Sequence, residues 1–303
     1  MAEKRSQIFK WKELDVSWQK EDNSNTNGIS TVLIHGFGAN KYHWRKNQKF
    51  ISKLTPSYSI DLIGFGEGSQ PQCRLNGEPK SKENFFYNFD NWAEQISDFS
   101  QVIVKQPVLL IGNSIGGVIA LRAAHLRGKK CKGVILINCA QRLMDDKQLI
   151  KQSKFQKSIR PILKSVTKKR WLSKLLFKNA ANQYFIKNVL KTAYPTGQNV
   201  DKELINLLYL PSQRSGASEA FHGFINIFND YLAPDLMKNI DIPVHLIWGE
   251  DDPWESVIEA KKWFHSISCI KSLKIISKAG HCPHDEAPDQ VNPVLQRLIQ
   301  QAT

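Results

Sequence analysis

The strongest constraint in this sequence is a repeated one: short, nearly continuous apolar runs that each stop at a glycine or a polar turn. Thr31-Val32-Leu33-Ile34 runs into His35-Gly36-Phe37-Gly38, and Tyr58-Ser59-Ile60-Asp61-Leu62-Ile63 into Gly64-Phe65-Gly66. Pro107-Val108-Leu109-Leu110-Ile111 stops at Gly112, and Gly133-Val134-Ile135-Leu136-Ile137 at Asn138-Cys139. Pro243-Val244-His245-Leu246-Ile247-Trp248 stops at Gly249, and Ser272-Leu273-Lys274-Ile275-Ile276 shortly before Gly280. Strands with no polar face must be covered on both sides, as in a parallel sheet. Helical periodicity fills residues 91–104, 117–127, 255–267 and 289–299. The alternation predicts an α/β fold with a mostly parallel central sheet flanked by helices.

One long stretch interrupts it. Residues 141–231 carry helix-like segments and no convincing strand, punctuated by Pro161, Pro195, Gly197 and Pro211. The expected organisation is a core of residues 1–140 and 232–303, with residues 141–231 inserted as a helical cap.

The chemistry gathers at strand ends. Gly112-Asn113-Ser114-Ile115-Gly116-Gly117 joins an apolar run to the helical Val118-Ile119-Ala120-Leu121. Between a strand and a helix, G-x-S-x-G describes a sharp turn that exposes a nucleophilic hydroxyl. The helix N-terminus behind it favours developing negative charge. Acyl transfer passes through an oxyanion that needs two preorganised donors. The backbone N–H groups of Phe37 and Ile115 are the candidates, and His35 is expected to brace the Phe37 loop.

Glu250, Asp251 and Asp252 follow the run that ends at Gly249. A carboxylate that orients an imidazole must be buried against it. Asp252, deepest in the turn and followed by Pro253, is the choice, with Asp251 the alternative. His281 is the candidate base and His284 its competitor. Ser114, Asp252 and His281 stand in the chain order this architecture requires. Two histidines without further clustered ligands make a poor metal site, and no metal is expected. Asp285 and Glu286 read as capping charges for the last helix, and Cys282 as a small packed residue. A pocket over Ser114 is expected to take in Phe37, Asn113, Trp171, Phe177 and Trp254.

Taken together, His35-Gly36-Phe37-Gly38, Asp61-Leu62-Ile63-Gly64-Phe65-Gly66, the Ser114 turn, Gly249-Glu250-Asp251-Asp252-Pro253 and Gly280-His281 resemble the α/β-hydrolase superfamily. The resemblance runs from roughly residue 30 onward, outside the inserted stretch. The Ser114 turn, Ile137-Asn138-Cys139-Ala140 and Gly280-His281-Cys282-Pro283-His284-Asp285-Glu286-Ala287-Pro288 further resemble a chloroplast and cyanobacterial branch, that of pheophytinases and chlorophyll dephytylases. This implies an α/β-hydrolase fold and hydrolysis of a lipophilic carboxylic ester, such as the phytyl ester of chlorophyll or pheophytin. Haloalkane dehalogenases and epoxide hydrolases of the superfamily carry aspartate where Ser114 stands, so neither activity is implied. A cofactor-free haloperoxidase-like or C–C bond hydrolase on the same triad remains an alternative, as does a ligand-binding receptor with little turnover.

Charge bears on where such a chain works. The net charge of +14 suits anionic partners, or is simply solvated. Twelve Lys and Arg fall in residues 151–191 with no Asp or Glu, and apolar residues interleave them at amphipathic spacing. The expectation is apolar helix faces turned to the pocket and a lysine face turned to solvent or to an anionic membrane. No nucleic-acid motif accompanies them. No apolar run is long enough to span a bilayer, and the basic chain start lacks the apolar core of a secretory signal. Five scattered cysteines without a C-x-x-C pair suit a reducing compartment. The expected setting is cytoplasmic, peripheral to an internal, thylakoid-type membrane, with a small lipophilic ester as substrate and no cofactor.

Overall fold

The apolar runs become strands because both of their faces are covered. The computed structural model describes residues 6–24 and 28–302; the first five residues of the basic chain start, residues 25–27 and residue 303 lie outside it. The strands are β1 (Gln7–Trp11), β2 (Leu14–Glu21), β3 (Ser30–Ile34), β4 (Ser57–Ile60), β5 (Gln72–Cys73), β6 (Asn84–Phe85), β7 (Val108–Asn113), β8 (Cys131–Ile137), β9 (Val244–Gly249) and β10 (Ile270–Ile276). Eight form one sheet in the order β1-β2-β4-β3-β7-β8-β9-β10, and β5 pairs with β6 apart from it. Across the sheet from β4 to β10 every pairing is parallel. β2 is antiparallel to both β1 and β4.

The helices are α1 (Gln48–Ile51), α2 (Phe89–Phe99), α3 (Ile115–Arg127), α4 (Lys154–Thr167), α5 (Arg170–Ala180), α6 (Gln183–Ala193), α7 (Lys202–Ser212), α8 (Ala217–Ile225), α9 (Ala233–Met237), α10 (Val257–Ser266), α11 (Pro283–Glu286) and α12 (Pro288–Ala302). Successive side chains of a strand point to opposite faces. In β7, Val108 and Leu110 join the core under α2 and α3, whereas Leu109 and Ile111 join the core under α1 and α12. All four are buried, which is why that run carries no polar residue. This is an α/β-hydrolase fold.

The β1–β2 hairpin was not foreseen from the sequence. Its turn residues Lys12 and Glu13 take positive φ of 46° and 67°. Such a turn ordinarily announces itself with Asn-Gly or Gly, and here it does not. Between β8 and β9, described residues 141–231 form α4 to α8 and no strand. No helix among the described residues is long and apolar enough to cross a membrane.

The helices of this segment do not all turn their apolar faces inward, contrary to the expectation above. On α4, Phe155, Ile159 and Ile162 form an i, i+4, i+7 stripe that is 71%, 38% and 66% exposed. Arg160, on the far side, is buried, and both Arg160 and Lys164 bond Asp146. The inward face of α4 is therefore the basic one.

A buried guanidinium ties the segment to the core. Arg45 donates to both carboxylate oxygens of Asp285 (2.9 and 3.1 Å), to Asp201 (2.8 and 2.9 Å) and to the carbonyl of Asn199 (2.7 Å). Its side chain is 5% exposed and that of Asp285 is fully buried. Asp285 is thus a partner of Arg45, and Glu286 accepts from Gly280 N–H and from Thr196, so both are engaged elsewhere than in the capping of the last helix expected above. Removing one partner of a buried ion pair strands the other. Arg45→Ala is expected to lower the unfolding free energy by about 3–5 kcal/mol, read from urea denaturation midpoints.

Candidate active site

Parallel strands present their C-terminal ends along one edge of the sheet, and the loops there form the site. Ser114 leaves β7, Asn138 leaves β8, Asp252 follows β9 and His281 follows β10. In sheet order these strands are neighbours, so residues far apart in sequence meet.

Ser114 sits at the junction of β7 and α3 with φ 55° and ψ −125°, a strained conformation for a residue with a Cβ. The glycines around it are there for approach distance. A Cβ on Gly112 would lie 2.2 Å from the carbonyl oxygen of Gly116, and one on Gly116 would lie 2.4 Å from that of Ile34. Although Ser114 stands at the start of α3, its hydroxyl caps no helix amide. Among the described residues it makes no hydrogen bond with His281; such contacts often tighten only when substrate binds.

The Phe37 loop runs beside the serine. A Cβ on Gly36 would be 3.0 Å from Ser114 Cβ. Ile115 opens α3, so its N–H has no intrahelical acceptor. Among the described residues, neither that N–H nor the N–H of Phe37 donates to another group. His35 holds the loop from below: Nδ1 donates to the Gly36 carbonyl (2.7 Å) and Nε2 accepts from Leu62 N–H (3.0 Å). Burial holds its pKa below the usual histidine value, so the ring stays neutral in this bracing role.

Of the three adjacent carboxylates, Asp252 is the one that meets the imidazole. His281 Nδ1 donates to Asp252 Oδ2 at 2.9 Å, which leaves Nε2 as the acceptor nitrogen. Asp251 is exposed, and Glu250 accepts from Ser277. Asp252 Oδ1 accepts from Trp254 N–H (2.9 Å) and Glu255 N–H (3.1 Å). Burial alone would raise its pKa. The hydrogen bonds and charge of His281, with the Asn138 amide and Trp254 N–H, outweigh that and hold it below the usual value. His284, the other candidate base, is buried against His43 and Trp44, with neither ring nitrogen hydrogen-bonded among the described residues.

In the sequence Asn138 shows itself as the residue that stops an apolar run. It proves to be the junction of the site. With φ 43°, it donates from Nδ2 to Asp252 Oδ2 (2.5 Å) and to the Gly280 carbonyl (3.3 Å), and accepts Gly249 N–H at Oδ1 (3.0 Å). The available signal was an asparagine, a residue type that tolerates the left-handed region, closing an apolar strand.

The five residues expected around a pocket separate. Phe37 is 37% exposed and stacks on Phe224 at 3.9 Å, with Phe221 at 6.4 Å; Phe177 of α5 meets Phe221 at 5.4 Å. An aromatic row thus leads from α5 to the Phe37 loop. Its members Phe221 and Phe224 were missed, although their i, i+3 spacing on α8 is visible in the sequence. Trp254 covers the His281 ring edge-on at 4.8 Å. Asn113 is no wall residue: it is 2% exposed, and its amide donates to the carbonyls of Ile137 and His281 (3.1 Å each). Trp171 lies 65% exposed on α5.

Glu255 carries the opposite perturbation from Asp252, three residues away. Burial and the Asp252 charge push its pKa up to about 8, against the stabilising N–H of Gln141. A carboxyl that ionises more readily in the unfolded chain costs stability as pH rises from its ordinary value through about 8. Glu255→Gln should therefore gain stability relative to the parent at pH 8.5 and lose that advantage near pH 4.5. Parallel urea unfolding at the two pH values checks this; an equal difference at both would contradict it.

The comparisons with known proteins agree with this architecture. Pheophytinase of Arabidopsis thaliana, a chloroplastic protein, is 25% identical over 95% of this chain, which spans 65% of that protein's length. Human epoxide hydrolase 4 is 25% identical over 90% of the chain and 72% of its own. A thermophilic esterase from Thermogutta terrifontis superposes with a TM-score of 0.73 at 17% identity, covering 98% of this chain and 99% of its own. The α/β hydrolase family model matches residues 31–294, and the chain belongs to that family.

Proposed function

We propose that this α/β hydrolase cleaves carboxylic esters with Ser114 as nucleophile, His281 as base and Asp252 as the acid that orients the base. The observation that carries the reading is the 2.9 Å hydrogen bond from His281 Nδ1 to Asp252 Oδ2, beside a strained serine whose hydroxyl caps nothing. Ser114 Oγ attacks the ester carbonyl while His281 Nε2 takes its proton. The oxyanion accepts from the N–H groups of Phe37 and Ile115. The tetrahedral intermediate collapses, and the alcohol leaves with the proton held by His281. Water, deprotonated by the same imidazole, then attacks the acyl-enzyme and frees the acid and the serine. Asp252 stabilises the imidazolium in both halves, and its lowered pKa keeps it charged to do so.

The substrate reading is a lipophilic ester, with the phytyl ester of chlorophyll or pheophytin the specific candidate. The aromatic row from Phe177 to Phe37 supports an apolar acyl or alcohol group, and the pheophytinase relative supports the phytyl group. Described residues 141–231 would serve as the lid. A hydroxyl in place of an aspartate at position 114 disfavours the epoxide-opening chemistry named for another relative.

Ser114→Ala should reduce kcat by about 10⁴-fold or more and abolish labelling by a fluorophosphonate probe. Turnover at the parent rate would defeat the assignment. Asn138→Ala should lower kcat by about 10²-fold with a smaller change in KM, because it frees Asp252 and the His281 loop to shift. A panel of chlorophyll a, pheophytin a and p-nitrophenyl esters of increasing chain length tests the substrate. Hydrolysis of the short esters alone would count against the phytyl reading.

A further inference from the structure

We infer that the α4–α5 side of the inserted helices is a docking surface for an anionic lipid bilayer, entered by its outward apolar stripe rather than by lysines alone. A surface helix normally buries its apolar face. Helix α4 does the reverse. Phe155, Ile159 and Ile162 face solvent, while Arg160 and Lys164 are drawn inward by Asp146 and lie over the Phe228 ring at 5.4 and 5.2 Å. The helix is not loosely held in this orientation. Ser153 and Gln156 close a capping box at its N-terminus, and Asp146 fixes its middle. Just before it, Ile150 is 91% exposed. On α5, Trp171 and Leu175 are 65% and 50% exposed and share their side with Lys174 and Lys178.

Exposed apolar area of this kind marks a binding surface. The charge around it selects the partner. From residue 147 to residue 200 the chain has no Asp or Glu. The exposed Lys154 and Lys157 flank the α4 stripe. An anionic bilayer answers both features at once: lipid headgroups meet the lysines, and the acyl boundary takes the isoleucines and aromatic rings. Phe177, on the same helix as Trp171, begins the aromatic row toward Phe37. That route for a lipophilic molecule rests on the proposed ester reading; the docking itself does not.

The test uses the whole chain in co-sedimentation with vesicles of phosphatidylcholine alone and of equal parts phosphatidylcholine and phosphatidylglycerol. The parent protein should bind the mixed vesicles about tenfold or more tightly than the neutral ones, and less tightly as salt is raised. The combined variant Ile150→Ser, Phe155→Ser, Ile162→Ser should bind the mixed vesicles about tenfold or more weakly. Its circular-dichroism melt should match the parent's, since the three side chains are exposed. Charge reversal by Lys154→Glu with Lys157→Glu should weaken binding independently. Ser114→Ala should bind like the parent, which separates docking from chemistry. The inference is overturned if the parent does not bind mixed vesicles, or if the apolar variant binds them as tightly as the parent does. It is overturned equally if the apolar variant breaks a dimer of the parent while vesicles are ignored, since the face would then belong to a second copy.

Discussion

The site depends on the register of four parallel strands. Asn113 is paired with Ile137, Ile137 with Ile247, and Gly249 with Ile276. The strands therefore end side by side, and the residues that follow them converge: Ser114, Asn138, the turn to Asp252, and the loop to His281. A slip of one residue in any of these strands would turn its side chains to the other face of the sheet. Both faces are packed, so a slip would press each apolar set against the wrong helices. The same close packing that stabilises the sheet thus holds the site to a narrow geometry.

Within that frame, hydrogen bonds rather than net charge set the electrostatics. Asp252 and Glu255 lie in one turn, and both are pressed upward by burial. Asp252 receives an imidazole, an amide and backbone N–H groups and stays ionised. Glu255 receives one backbone N–H beside an existing negative charge, and its pKa rises to about 8. Two carboxyl groups of similar burial thus part according to the donors each can reach. Asn138 matters for the same reason. It supplies Asp252 with an amide, and it fixes the ends of β9 and β10 relative to each other through Gly249 and Gly280.

The inserted helices are fastened to this centre at several points. Ala193 accepts the N–H of His281 (2.9 Å), Leu207 accepts from Asn40 (2.7 Å), and Tyr194 bridges His43 and Asp285. Arg45 adds the buried ion pairs. These contacts come from α6, α7 and the loop between them, on the side that faces His281 and the Phe37 loop. Helices α4 and α5 are held by other partners, and α4 turns its apolar stripe of Phe155, Ile159 and Ile162 outward. The two parts of the insertion are thus anchored by different contacts.

By itself, the amino-acid sequence determined the parallel sheet, the helices that cover it and the positions of the serine and histidine turns. Those features are local: a two-faced apolar run, a glycine that permits close approach and a helix that follows within a few residues. The β1–β2 hairpin escaped notice because Lys12 and Glu13 give no local turn signal. Asp252 was the choice among three carboxylates that share one turn, with Asp251 the alternative, and only the path of the β10 loop brings an imidazole to Asp252. Asn138, Phe221 and Phe224 gained their meaning from neighbours more than a hundred residues away or across a helix pair. The outward face of α4 could not be read from periodicity, which gives the angle between the apolar and basic stripes but not which one turns inward. Asp146 and Phe228 decided that, by drawing two cations into the protein and leaving the apolar stripe outside.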